Sequence, residues 1–312
     1  MTSGFRTWGG GWLRISTEQK VKLEQERGHA FEHLSQFSRT IGGDDMWYSY
    51  HFFDYGKNRA GWWDGEKMAR QAVELNDIDV AEFLYPGHQF VFLFDWSSCH
   101  DKMPTGSFNV SKFKTVPGFQ FTKPKKGALK QDGTPLLPEQ KPFIVSDMEL
   151  KCEYPEKPTS ITFKYNIQHV KFQPGERPHF NPKPIPYNGL PKGLIQILWE
   201  RGLWLDDMVR DTNKKNADGK SLSMEDALNA QPDIREQKSQ LQLEIEARGH
   251  MCVMLPKFHC ECNGIELAWA KSKHYTRCNC NYSMPGLRQT VPQSYGLENM
   301  PTTFHRKISR KA

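Results

Sequence analysis

Asp95 closes an apolar run, Phe90 to Phe94, and His100 follows five residues later in the stretch QFVFLFDWSSCH (89–100). Far downstream, HMCVMLPKFHCECNGIELAWAKSKHYTR (250–277) places Glu266 shortly after Asn263-Gly264. Carboxylates are the hard oxygen ligands that Mg²⁺ and Mn²⁺ prefer, and a histidine near one can orient a phosphate or a water. Each residue also has a plainer reading. Asp95 can close a turn through its side chain, and His100 can cap one. Glu266 can complete a helix start, where exposed N–H groups favour a negative charge. Asn263 reads as the residue shaping the turn ahead of Glu266, with no catalytic role.

Such residues need elements to hold them. Met251 to Leu255 is apolar, too short for a helix and closed by Pro256, so it reads as a buried strand. Ile265, Ala268 and Trp269 fall at helical spacing and open a helix with Glu266 in its first turn. Phe90 to Phe94 is another strand, with Asp95 at its carboxyl end, where open α/β sheets build their sites. Strand–Asp followed later by strand–loop–helix–Glu is the layout of a nuclease that holds two metal ions between carboxylates.

These stretches together resemble the DDE transposases of the mariner and pogo kind. VFLFDWSSCH matches the region of that family's second acid, and LPKFHCECNGIELAW is similar to its "PDLNPIE..W" signature around the third. KNRAGWW (57–63) and PKGLIQILWERGLW (191–204) bring the chain nearer the eukaryotic DDE superfamily endonuclease group. The resemblance implies an α/β, ribonuclease-H-like fold: a mixed sheet flanked by helices, with a long irregular insertion. It implies Asp95 and Glu266 as catalytic acids and ligands of two Mg²⁺ or Mn²⁺ ions, with His100, at the family's D…H spacing, as an auxiliary group. It implies DNA cleavage and strand transfer, DNA as partner, no small-molecule substrate, a nuclear location and room for a homo-oligomer.

The family carries its first acid on the first strand of the fold. Residues 1–16 contain no Asp or Glu, while Asp44, Asp45 and Asp54 lie on or near a later strand. The chain therefore reads as an N-terminally truncated DDE domain with an incomplete catalytic set. The alternative is a non-catalytic nucleic-acid-binding remnant that uses a basic segment. There Lys112, Lys114, Lys123, Lys125, Lys126 and Lys130 alternate with Phe113, Phe119 and Phe121, a composition suited to phosphates and stacked bases. A solvated basic loop has the same composition. Lys271 and Lys273, on the helix after Glu266, are further candidate phosphate contacts.

Bulk properties agree with an intracellular, soluble protein. The 312 residues are 37% hydrophobic and 12% aromatic with a formal net charge of +6, and the mean hydropathy is −0.70. That suffices for one good core plus an insertion and permits a nucleic-acid partner without requiring one. No run approaches the length of a membrane span and no signal pattern opens the chain. The seven cysteines are an odd count, which disfavours a disulfide framework. Cys260-x-Cys262 and Cys278-x-Cys280 could form a structural zinc site, but C-x-C is tighter than zinc sites prefer, and ordinary thiols are the plainer reading.

In order, the chain reads as strand material with a glycine turn over 1–16, a polar helix over 18–34 capped by Ser16 or Thr17, and a strand over 46–55. A helix over 65–84 capped by Asp64 then leads to the Asp95 strand, which suggests parallel strands joined by a crossover helix. The expected parts are 1–100 for the first part of the core, 101–230 for an insertion with little core of its own, and 231–312 for the rest. Helices are expected over 193–201, from Pro232 to Arg248, and around Leu287 to Leu297.

Overall fold

The computed structural model describes residues 2–7, 10–28, 46–53, 56–58, 61–73, 77–97, 99–151, 167–257, 259, 263–296 and 298–309. The fold is mixed α/β with small sheets. The chain divides into two compact units, residues 1–102 with 238–312, and residues 103–237.

The centre of the first unit is a parallel ladder between Val91–Phe94 and Met251–Met254, in the register Val91↔Met251 to Phe94↔Met254. Side chains alternate across it as a pleated strand requires. Phe92, Phe94 and Cys252 point into a core with Met68, Ala72, Ile78, Leu241 and Ile245. Val91, Leu93, Met251 and Val253 lie exposed on the opposite face. Burial and the nearby Glu246 charge push the Cys252 thiol up to about 12, so it behaves as a small apolar group.

The stretch 46–55 does not supply the parallel partner that was expected. Among the described residues, Met46–Tyr48 pairs antiparallel with Arg14–Ser16, and the Ser49 amide donates to the Leu13 carbonyl at 2.9 Å. The chain doubles back on its opening strands here, so the crossover joins the Asp95 strand to residues 251–254 instead.

The expected helix over 18–34 spans Thr17–Arg27. Ser16 starts it with a capping box: the Gln19 amide donates to the Ser16 hydroxyl at 3.1 Å, and the Ser16 amide donates to Gln19 Oε1 at 2.9 Å. Gly28, at φ 74°, ends it in the left-handed conformation that stops helices. Residues 29–34 of the expected span lie outside the described residues. Of the helix expected over 65–84, Gly65–Val73 and Asp77–Leu84 are helical, and residues 74–76 lie outside the described residues. Asp64 accepts from the Lys67 amide at 2.9 Å, as a cap does.

The carboxyl-terminal part carries helices Ile265–Asn279, Met284–Ser294 and Thr302–Ser309. They gather around Trp12, Tyr50, Ala268, Tyr295 and Met300. The helix expected from Pro232 to Arg248 is split, into Pro232–Arg235 and Gln240–Ala247. Ser239 restarts it with a second capping box.

The second unit corrects the expectation of an insertion with little core. Phe108, Val110, Phe113, Val170, Leu194, Ile197, Leu198, Met224 and Leu228 form a buried cluster of its own. Beside it lies a buried polar network. Arg201, with no side-chain exposure, donates two parallel bonds to Asp233 at 2.8 and 2.7 Å and one to Gln168 at 2.7 Å. Lys192 pairs with Glu200 at 2.9 Å. Such groups stay inside only when paired, and this fork-to-fork geometry satisfies them. Among the described residues, no helix is long and apolar enough to cross a membrane.

Candidate functional site

Asp95 and the Glu266 helix leave the same end of the parallel pair. Leu255 extends the ladder by donating its amide to the Phe94 carbonyl at 2.7 Å. The chain then runs through Pro256 and Lys257 to Asn263. The Asn263 side chain accepts from the Ile265 amide at 3.3 Å, and its carbonyl accepts from the Glu266 amide at 3.1 Å. Asn263 thus starts the helix, as the sequence suggested, and leaves Glu266 in the first turn.

His100 is held tightly against Asp95. Its amide donates to the Ser97 carbonyl at 3.0 Å, and its ring packs on Phe94 with centroids 5.0 Å apart. Nδ1 lies 2.7 Å from the Asp95 carbonyl oxygen and 3.1 Å from its carboxylate. A carbonyl can only accept, so in the neutral ring Nδ1 carries the proton and Nε2 the lone pair. The Asp95 carboxylate is 41% exposed.

Both residues open onto a cavity of about 1400 Å³, whose floor includes Phe5, Phe90, Phe92 and Phe94. Its cationic walls are Arg6, Lys273, Arg277 and Arg306, and Asp95 is the one carboxylate among the described residues that line it. Ile265, Trp269, Lys273 and Thr276 supply the helix stripe facing the cavity. Helical geometry turns the residue after Ile265 about 100° away from that stripe, and Glu266 is not on the wall.

The metal expectation meets this geometry directly. Among the described residues, no three His, Cys, Asp or Glu side chains converge. As placed, the described residues give the cavity one carboxylate and do not complete a two-ion site. Asp44, Asp45 and Asp54 lie outside the described residues. So do Cys260 and Cys262, the first half of the proposed zinc set; Cys278 is exposed and Cys280 buried.

The lysines divide. Lys273 lines the cavity, whereas Lys271 places its ammonium 4.4 Å from the Phe304 ring centroid. In the second unit, Lys112, Lys123, Lys125, Lys126 and Lys130 are exposed. The last four stand on a hairpin arm held by Thr122–Glu139, Ala128–Leu136 and Lys130–Thr134 backbone bonds. Lys114 lies over the Phe121 ring at 5.5 Å. The expected alternation of lysines with stacking aromatics fails at Phe113, which is fully buried in the core.

Three cavity cations escaped the sequence reading. Arg277 was within reach, because it follows Lys273 by four residues and shares its helix face. Arg6 and Arg306 come from opposite ends of the chain, and no local pattern links them. Arg6 donates to the His305 carbonyl at 3.1 Å, which ties these ends together. His305 is buried; burial, with the charges of Arg6, Lys271 and Arg14, pushes its pKa down to about 4.

No family model, curated protein or solved structure matches this chain.

Proposed function

We propose that the chain is a transposase-derived DDE domain with a ribonuclease-H-like core, which binds the phosphodiester backbone of DNA at the Asp95 cavity. The observation that carries this reading is the parallel register of 91–94 with 251–254. It brings Asp95 and the start of the Glu266 helix to one end of one sheet, above a cavity whose other charged walls, among the described residues, are all cationic. Four cations against one carboxylate suit a polyanion, and apolar floors strengthen such contacts by excluding water.

In this reading Arg6, Lys273, Arg277 and Arg306 neutralise phosphates. Asp95 accepts a hydrogen bond from a water or sugar hydroxyl, and Nε2 of His100 is the base nearest to it. Mg²⁺ or Mn²⁺, bound to a complete acid set, would activate water and stabilise the leaving oxygen. The incomplete set favours binding without strand cleavage. With DNA as its partner, the expected location in this reading is the nucleus.

The test is binding of a fluorescent DNA duplex by anisotropy across a salt series, alongside a cleavage assay with Mg²⁺ and with Mn²⁺. The expected result is salt-dependent binding, weakened when Arg277 and Arg306 are changed to Gln, with no nicking. Binding that ignores both changes would overturn the site. Metal-dependent nicking lost in Asp95→Asn would overturn the claim of an incomplete enzyme.

One observation favours a second reading. The hairpin arm of 120–141 is exposed along nearly its whole length and carries Lys123, Lys125, Lys126, Lys130 and Lys141. A nucleic-acid-binding remnant using this arm would lose affinity when its lysines are neutralised, and would be indifferent to Arg277 and Arg306.

A further inference from the structure

Trp96 directly follows Asp95, yet it is 42% exposed. Across the sheet end, Lys257 leaves the partner strand and sets its ammonium 4.6 Å from the Trp96 ring centroid. Neither residue belongs to the cavity wall; the pair stands beside it, at the carboxyl ends of both strands. A cation this close to an indole face is attracted by the ring quadrupole, and the contact holds the ring in place without burying it.

We infer that Trp96 and Lys257 form a stacking platform for an unpaired nucleotide, the base taking the place that the ammonium holds over the indole and Lys257 swinging off the ring to meet the phosphate. This inference rests on the proposed DNA-binding reading and names the form of nucleic acid that the site prefers. Three points on the structure support it. An aromatic face offers stacking to any base, which a paired base inside a duplex cannot use. The ammonium over that face is the cation a phosphate would recruit. Asp95 and Trp96 are consecutive in sequence, one lining the cavity and one outside it, so a strand laid across the sheet end meets both.

The electrostatic surroundings are mixed. Asp101 also feels Lys257: burial raises the pKa of its carboxyl, and the Lys257 charge acts against that rise. Asp95, His100 and His259, two residues after Lys257, are further titratable groups near this sheet end among the described residues. With Asp101 as its charged neighbour, the Lys257 ammonium keeps only part of its charge for an arriving phosphate. The platform is therefore expected to add selectivity for unpaired bases, while the cavity cations supply most of the affinity.

The test uses the full chain with two labelled ligands of equal length, an oligothymidylate and a blunt duplex, read by anisotropy. Wild type should bind the single strand at least as tightly as the duplex. Trp96→Ala should weaken single-strand binding about tenfold, the scale of one lost stacking contact, and leave duplex binding unchanged. Trp96→Phe should retain most of the affinity. Lys257→Gln should lower the slope of log affinity against log salt by about one on the single strand. Circular dichroism of each variant controls for folding.

Equal losses on both ligands, or none on the single strand, would overturn the platform. If wild type binds duplex DNA and Arg277→Gln weakens it while Trp96→Ala changes nothing, only the platform fails. If wild type binds neither ligand, the DNA-binding reading fails with it.

Discussion

Nδ1 of His100 bridges the main-chain carbonyl and the side-chain carboxylate of Asp95, at 2.7 and 3.1 Å. The imidazole therefore fixes the strand end and the carboxylate at once. It is a partly buried neighbour to a half-exposed acid, which is how a site keeps a polar group poised without leaving it loose.

His100→Ala removes that bridge together with the packing on Phe94. The expected cost is about 1–3 kcal/mol, combining a lost hydrogen bond and lost apolar contact. Urea unfolding checks it. His100→Asn, which can keep a donor toward the Asp95 carbonyl, should recover part of the loss.

The second unit depends on its buried ion pair. Replacing Arg201 by Met leaves Asp233 buried without its partner and should cost about 3–5 kcal/mol. Adding Asp233→Leu to that variant should restore much of the stability, because the uncompensated charge is then gone. A double variant as unstable as the single one would argue against this account of the network.

Gly193 opens the helix Gly193–Glu200 at φ 78°, and a Cβ there would lie 2.5 Å from the Val116 carbonyl carbon. Both the conformation and the space exclude a side chain. Gly193→Ala should cost about 2–4 kcal/mol in denaturant unfolding, well beyond an ordinary helix substitution.

His305 gives the first unit a pH dependence. Its pKa in the folded chain, about 4, lies below the ordinary histidine value of 6.5, so the unfolded chain takes up the proton first as the pH falls. Its contribution is complete above pH 6.5 and is lost as the pH falls from there toward about 4. The whole effect is roughly 2–3 kcal/mol at most. Unfolding free energies at pH 7.5, 6 and 5 should show the decline, and His305→Leu should flatten it.

The elements nearest the candidate site were legible because their signals are local. Phe90 to Phe94 and Met251 to Leu255 are apolar runs closed by Asp95 and Pro256, and Asn263-Gly264 announces the helix that follows. The pairing was less so. Residues 46–55 read equally well as a parallel neighbour, and only the fold shows that Leu13 and Ser49 join them to the opening strands. The core of the second unit was legible only in the helix expected over 193–201, since Phe108, Phe113, Val170 and Met224 come from separate segments without shared periodicity. For the same reason the cavity cations were half visible: Lys273 and Arg277 share a helix face, whereas Arg6 and Arg306 meet only through folding.

The most direct test of the central claim is the salt dependence of DNA binding by wild type and by the Arg277→Gln, Arg306→Gln double variant. If the Asp95 cavity holds the phosphodiester backbone, log affinity falls linearly with log salt, and the variant loses about two units of slope. An unchanged slope, or no binding by wild type at low salt, would contradict the assignment of this cavity to DNA.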